Sequence, residues 1–119
     1  MSVERGLIIR SPHVEKVLDG EKTWEIRGSK TNIRGRIALI RSGSGTIVGY
    51  CDLVGCVGPL DLEEYRQHAD RHCNPADKLP YQKTYAWVLA NVKSLDGPIP
   101  YRHKQGSIIW VRLESHDEQ

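Results

Sequence analysis

The sequence predicts an α+β domain that is mainly β, a small β-barrel or strongly curved sheet with two or three short helices at its flanks. Three observations predict it. Short stretches of two-residue alternation recur along the chain between Gly, Ser and Pro; helical stripes are few; and 119 residues suit one core rather than two. Curling such a sheet on itself removes the exposed edges that short strands would otherwise leave. No Gly-x-Gly-x-x-Gly and no Gly-rich loop ending in Lys-Ser/Thr occurs, so a nucleotide-cofactor fold has no support and no cofactor is expected.

The elements follow in order. Gly6-Leu7-Ile8-Ile9-Arg10 is a buried strand. Ser11-Pro12 then reads as a helix cap with proline at the first helical position, and Val14, Val17 and Leu18 give one apolar face before Gly20 stops the turn. Residues 23–27, 36–41 and 46–54 alternate with period two and are three further strands. Asp61 with Glu64 three residues on is a capping box, followed by the stripe Leu62, Tyr65 and Ala69. Residues 85–92 and 107–113 are the last strands, with Gly97-Pro98-Ile99-Pro100 as a rigid connection between them. Residues 1–113 thus form one domain, and residues 114–119, with three acids and no large apolar side chain, a flexible acidic tail.

Charge and thiols narrow the class. No uncharged stretch approaches the roughly 20 residues needed to span a bilayer, so no membrane partner is expected. Charge arrives within the first five residues, there is no apolar leader, and a cytoplasmic location is expected. Three cysteines are an odd number for a disulfide framework and fit reduced thiols. The net charge of +2 argues against a protein that merely coats nucleic acid. Yet residues 26–51 carry five basic side chains and no acid, and residues 78–113 carry six against Asp96, the two blocks separated by an acidic segment. Folded side by side, those blocks make one basic face; left apart, they are ordinary solvated charges.

The stretch that concentrates chemistry is Gly20-Glu21-Lys22-Thr23-Trp24-Glu25-Ile26-Arg27. On a strand, Trp24 and Ile26 share the face expected to enter the core, while Glu25 and Arg27 stand together on the other, with Lys22 leaning in from the preceding turn. A Lys, a Glu and an Arg so placed can serve as acid, base and oxyanion clamp, or form only an exposed ion-pair ladder. Ser11 and His13, at the start of the first helix, are candidate anion contacts, Ser11 being otherwise a plain helix cap. Arg41 and Ser42 open a Gly/Ser turn that is either a basic loop over a cleft or a simple hairpin. Tyr85 is a candidate stacking face, whereas Trp24 and Trp87 are expected in the core of a chain that has no Phe.

Gly20-x-Lys22-x-x-Glu25-x-Arg27 behind a short helix resembles the signature of the ASCH domain, a branch of the PUA-like superfamily. Tyr85-Ala86-Trp87-Val88-Leu89, then Pro98-x-Pro100, then Lys104-Gln105-Gly106 leading to a strand with Trp110, resembles the C-terminal part of the same domain. The resemblance spans nearly the whole chain. It implies a PUA-like β-barrel, a cleft lined by Lys22, Glu25 and Arg27, and an association with RNA or other nucleic acids. A few members of the family are enzymes. In the small bacterial N4-acetylcytidine amidohydrolases the motif's lysine and arginine align with Lys22 and Arg27, but the position of its threonine nucleophile holds Glu25, and the counterpart of its carboxylic acid is His72. Two of three catalytic groups therefore differ from that branch.

Cys51-x4-Cys56-x11-His68-x3-His72 falls one residue short of a zinc-finger spacing. Positions five apart on a regular strand face opposite sides, and only a bulge at Gly55 would turn both sulfurs one way. No metal is expected: Cys51 reads as a core residue and His68 and His72 as residues of a partly exposed helix.

The expectation that follows is a domain binding RNA or a nucleotide- or nucleoside-like ligand through Lys22, Glu25 and Arg27, flanked by Ser11, His13, Arg41, Ser42 and Tyr85. The alternatives are a hydrolase of RNA or of a modified nucleoside, with Lys22 and Glu25 catalytic, and an interaction module without a nucleic-acid role. Oligomeric state is not written in the sequence.

Overall fold

In the computed structural model, residues 3–103 and 106–113 are described. The Lys104-Gln105 half of the C-terminal motif and the acidic tail lie outside them. The apolar run at the start becomes β1 (Arg5–Ile9), parallel to β3 (Gly35–Arg41) on one side and antiparallel to β6 (Trp110–Arg112) on the other. That double pairing explains its lack of alternation: Leu7 and Ile9 enter one core cluster and Ile8 another. At Gly6 an added Cβ would collide with the Ile40 side chain, so β1 and β3 approach closely because that residue has none.

The six strands run in the order β2-β5-β4-β3-β1-β6, with β2 spanning Trp24–Arg27, β4 Thr46–Val57 and β5 Tyr85–Pro100. The register between β4 and β5 shifts three times, between Ile47/Gly49, Tyr50/Asp52 and Leu53/Gly55, and such bulges bend and twist a sheet. The result is a curled half-barrel. Its curl brings Trp87 of β5 onto Trp110 of β6, stacked at 5.7 Å, and lets Arg27 of edge strand β2 donate to the Ile8 carbonyl of β1 across the opening.

Helix α1 (His13–Leu18) buries Val14 and Val17 and lays Leu18 against Gly49, where a side chain would meet both Leu18 and the Lys93 carbonyl. The expected second helix is two, α2 (Leu62–Gln67) and α3 (Ala69–His72), broken at His68. The capping box is present: Glu64 N donates to Asp61 Oδ1 at 2.8 Å and Asp61 N to Glu64 Oε1 at 3.0 Å. No helix among the described residues is long and apolar enough to cross a membrane.

Several expectations are corrected. Pro12, not Ser11, is the cap residue of α1; Ser11 Oγ reaches past it to Glu15 Oε2 at 2.9 Å and caps nothing. Gly97-Pro98-Ile99-Pro100 is strand rather than connection, with Ile99 and Pro100 paired to Ile47 and Thr46. Here β5 has passed the end of β2, whose pairing stops at Val88, so on that side the prolines need supply no N–H to the ladder. The last strand shrinks to three residues. Trp24 and Ile26 enter not the main core but a satellite cluster with Leu60, Tyr65 and Ala86 under α2 and α3. His72 is fully buried rather than partly exposed.

Candidate functional site

The turn after α1 sets the site. Gly20, at φ +83°, ends the helix, Lys22 N donates back to the Lys16 carbonyl, and Thr23 is clamped by Arg71 O and Leu89 N on either side. This delivers Lys22 to the lead-in of β2 with only 2% of its surface exposed. Along β2 the pairing Glu25↔Trp87 and Arg27↔Tyr85 fixes the two charged side chains on the face opposite Trp24. That face is also buried, Glu25 being 6% exposed.

The three charges form one cluster. Arg27 donates Nε and Nη2 to Glu25 Oε2 at 2.9 and 2.7 Å, and Nη2 also to the Ile8 carbonyl at 2.7 Å. Its guanidinium lies 5.6 Å over the Trp87 ring. Lys22 Nζ donates to the His72 carbonyl and stands 3.9 Å from Glu25 Oε1. Burial pushes the Lys22 ammonium below its ordinary pKa, with Glu25 opposing.

His72 serves this arrangement through its backbone. Its Nδ1 accepts from Asn74 N at 3.0 Å, so Nε2 carries the proton and donates to the Tyr65 carbonyl at 2.6 Å. The ring stacks on Tyr65 at 3.9 Å, and burial pushes its pKa below the usual histidine range. The imidazole is thus held neutral and engaged with Tyr65 and Asn74, while its carbonyl anchors Lys22.

Lys22, Glu25 and Arg27 wall a cavity of about 300 Å³ with Ile8, His13, Ser42 and Ile108. His13 is pushed below its ordinary pKa, by burial first and by Lys22 next, and its Nδ1 has no hydrogen-bond partner among the described residues. The other expected positions lie elsewhere. Ser11 is outside the lining; Arg41 is taken up by Glu15, Nε to Oε2 at 2.8 Å; Tyr85 packs half-buried against the main core.

Among the lining residues that escaped the sequence reading, three carry a polar group or an aromatic ring: Arg10, Asn74 and Tyr81. Arg10 carried a usable signal, as the first cation past a buried strand. Tyr81 is 44% exposed and seated on Gly28, where an added Cβ would come within 2.8 Å of its ring. Its one sequence signal is an aromatic in a loop that offers the core no periodic face.

The zinc-like spacing gathers no ligand set. The register shift before Gly55 does turn Cys56 toward the same cluster as Cys51, but His68 stacks on Trp24 at 4.7 Å and His72 on Tyr65. Burial pushes the Cys51 thiol up to about 12. Among the described residues no three His, Cys, Asp or Glu side chains come together as a metal would need.

Residues 7–99, from β1 through nearly all of β5 and including the whole charged cluster, match the sequence pattern of the ASCH domain. The chain belongs to the ASCH domain family. The structure of ASCH from Zymomonas mobilis has the same fold, with a TM-score of 0.69 at 14% identity over 96% of this chain and 90% of that one. A Tyr-to-Phe variant of that protein gives 0.62 at 15% identity over 98% and 94%, and a Ser-to-Ala variant 0.62 at 16% over 96% and 90%. No curated protein matches the sequence. Membership supports, at a coarse level, a nucleic-acid- or RNA-related domain.

Proposed function

We propose that this ASCH domain binds RNA and takes one nucleobase-bearing unit into the cleft of Lys22, Glu25 and Arg27. The observation that carries the reading is a buried carboxylate suspended between two cations on the wall of a cavity. Glu25 spends Oε2 on Arg27 and keeps Oε1 toward the less intimate Lys22 contact, so it can still accept from an exocyclic amine. Arg27 makes its bonds through Nε and Nη2, leaving Nη1 for a phosphate or carbonyl oxygen, and Lys22 and Arg10 add positive charge.

Cavity size selects the unit. About 300 Å³ is the lower end of small-molecule pockets, enough for one nucleoside but not for a folded strand. RNA would therefore present a single unstacked base, the form in which proteins read RNA sequence. Tyr81 at the rim supplies a ring for that base to stack on.

The test is binding of single-stranded RNA and of cytidine 5′-monophosphate at several salt concentrations, with wild type and Arg27→Ala. Salt-sensitive binding that Arg27→Ala abolishes while the variant keeps its fold supports the reading. Equal binding by both proteins points to a module in which the charged cluster is structural.

A second reading, hydrolysis of RNA or of an N4-acylated cytidine, is favoured by one observation. Lys22 is an almost fully buried ammonium with lowered pKa beside a carboxylate, the pairing that general acid–base chemistry uses. Glu25 would take a proton from water or from a 2′-hydroxyl, and Lys22 or Arg27 would stabilise the oxyanion. Labelled RNA and N4-acetylcytidine left intact by the protein across several pH values would exclude it.

A further inference from the structure

The basic block that opens at Arg27 builds a second feature away from the cleft. Residues 28–34 leave β2 and are pinned against the barrel: Trp87 Nε1 donates to the Ser29 carbonyl at 2.9 Å, and Ile33 N to Thr31 Oγ1 at 3.1 Å. With the first residues of β1 and β3 they wall a groove of about 610 Å³, twice the volume of the cleft and more open to solvent. Arg5, Lys30, Arg34 and Arg36 line it against one acid, Glu4.

The cations are not equivalent. Arg36 is neutralised by Asp52 at 3.2 Å, and Arg5 lies 3.8 Å from Glu4. Lys30 and Arg34 have no carboxylate partner among the described residues. Arg34 is instead oriented by two neutral carbonyls, its Nη1 donating to Thr31 O at 3.0 Å and to Ile33 O at 2.7 Å. Carbonyls fix the guanidinium without cancelling its charge, so it is already arranged for an anion and loses little freedom on taking one.

We propose that this groove is a second RNA contact, in which Lys30 and Arg34 hold backbone phosphates of nucleotides flanking the one in the cleft. The proposal rests on the reading of the cleft as an RNA site. Ile8 lines the cleft and Arg5 the groove, three residues apart on β1. At strand rise the two backbone positions are about 10 Å apart, and because positions three apart point to opposite faces the path between the sites is longer than that, at least about three nucleotides at a stacked spacing of about 3.4 Å per strand. The segment that walls the groove continues directly from Arg27 and Gly28 at the cleft, so chain and ligand would share one path.

The test compares an eight-nucleotide single-stranded RNA with cytidine 5′-monophosphate, which is too short to reach the groove. In the Lys30→Gln/Arg34→Gln variant, octamer affinity falls while monophosphate affinity is unchanged. Loss of two phosphate contacts flattens the octamer's log–log salt slope by about 1.4, so the affinity deficit is about sevenfold larger at 50 mM than at 200 mM salt. Arg34→Lys, which keeps the charge, retains the slope and controls for disturbance of the loop. Unchanged octamer binding by the double variant overturns the proposal, and so does a monophosphate affinity that falls in step. Monophosphate binding lost in Arg27→Ala with octamer binding intact in the groove variant leaves the cleft reading standing and removes the groove. Octamer binding that survives Arg27→Ala but not the groove variant does the reverse. If the wild type binds neither probe, both readings fall.

Discussion

Replacing Glu25 with Gln tests whether the charged cluster is the buried, mutually compensated unit described above. The amide keeps an oxygen that Arg27 can donate to but removes the negative charge between Lys22, whose side chain is 1% exposed, and Arg27, 14% exposed. Breaking a buried pair by deleting one partner typically costs about 3–5 kcal/mol, because the surviving charge is left uncompensated. Here each cation retains a neutral acceptor, the His72 carbonyl for Lys22 and the Ile8 carbonyl for Arg27, and Arg27 also retains the Trp87 face. The low end, about 3 kcal/mol, is therefore expected. For a domain of this length that lowers Tm by about 12 °C. Urea unfolding followed by tryptophan fluorescence should show the midpoint fall with an unchanged slope. Adding Lys22→Met to Glu25→Gln removes one stranded cation and should recover part of the loss, an interaction that a double-mutant cycle reads directly. A loss below about 1 kcal/mol for Glu25→Gln, the size of an exposed pair, would refute the reasoning.

Two further outcomes follow from the same geometry. Tyr81→Ala should weaken monophosphate binding by about tenfold with no change in Tm, and Tyr81→Phe should keep it, because stacking uses the ring face rather than the hydroxyl; a lost affinity in Tyr81→Phe with a retained one in Tyr81→Ala would reverse the assignment. His72 should titrate below pH 6.5 when followed by NMR, held down by burial first, with nearby Lys22 and His68 adding to it, against the pull of the Tyr65 carbonyl and, less, of Asp70. Between 6.5 and its lowered native value the unfolded chain takes the proton and the native chain does not, so this contribution to stability is complete above that window and is lost as pH falls through it. A His72 titration at or above 6.5 contradicts the tautomer and the packing together.

Much of the fold was legible because its local signals are strong. The capping box before Leu62, the helical stripe of Val14 and Val17 and the alternation of the signature strand all appear where the sequence places them. The misses share a cause. Pro98 and Pro100 read as a linker because a sequence does not say which strand lacks a neighbour on one side, and that absence is what admits them to β5. His72 read as surface because its neighbours Asp70 and Arg71 are polar, while its burial comes from Tyr65, seven residues away on a different helix.

By itself the sequence determined that Lys22, Glu25 and Arg27 stand together, because the two-residue period puts Glu25 and Arg27 on one face whatever that face meets. It could not say that both faces of β2 are buried, or that the charged one looks into the cleft while Trp24 packs with Tyr65 under the helices and Ile26 both joins that cluster and reaches the cavity wall. Only the curl of the sheet decided that, since three bulges between β4 and β5 bring one edge strand within reach of β1. The same curl brings Arg10 and His13, neighbours at the start of α1, to one cavity with Tyr81 from a distant part of the chain. Alternation is a local property and records which side chains travel together; where they arrive depends on contacts between residues far apart in the chain.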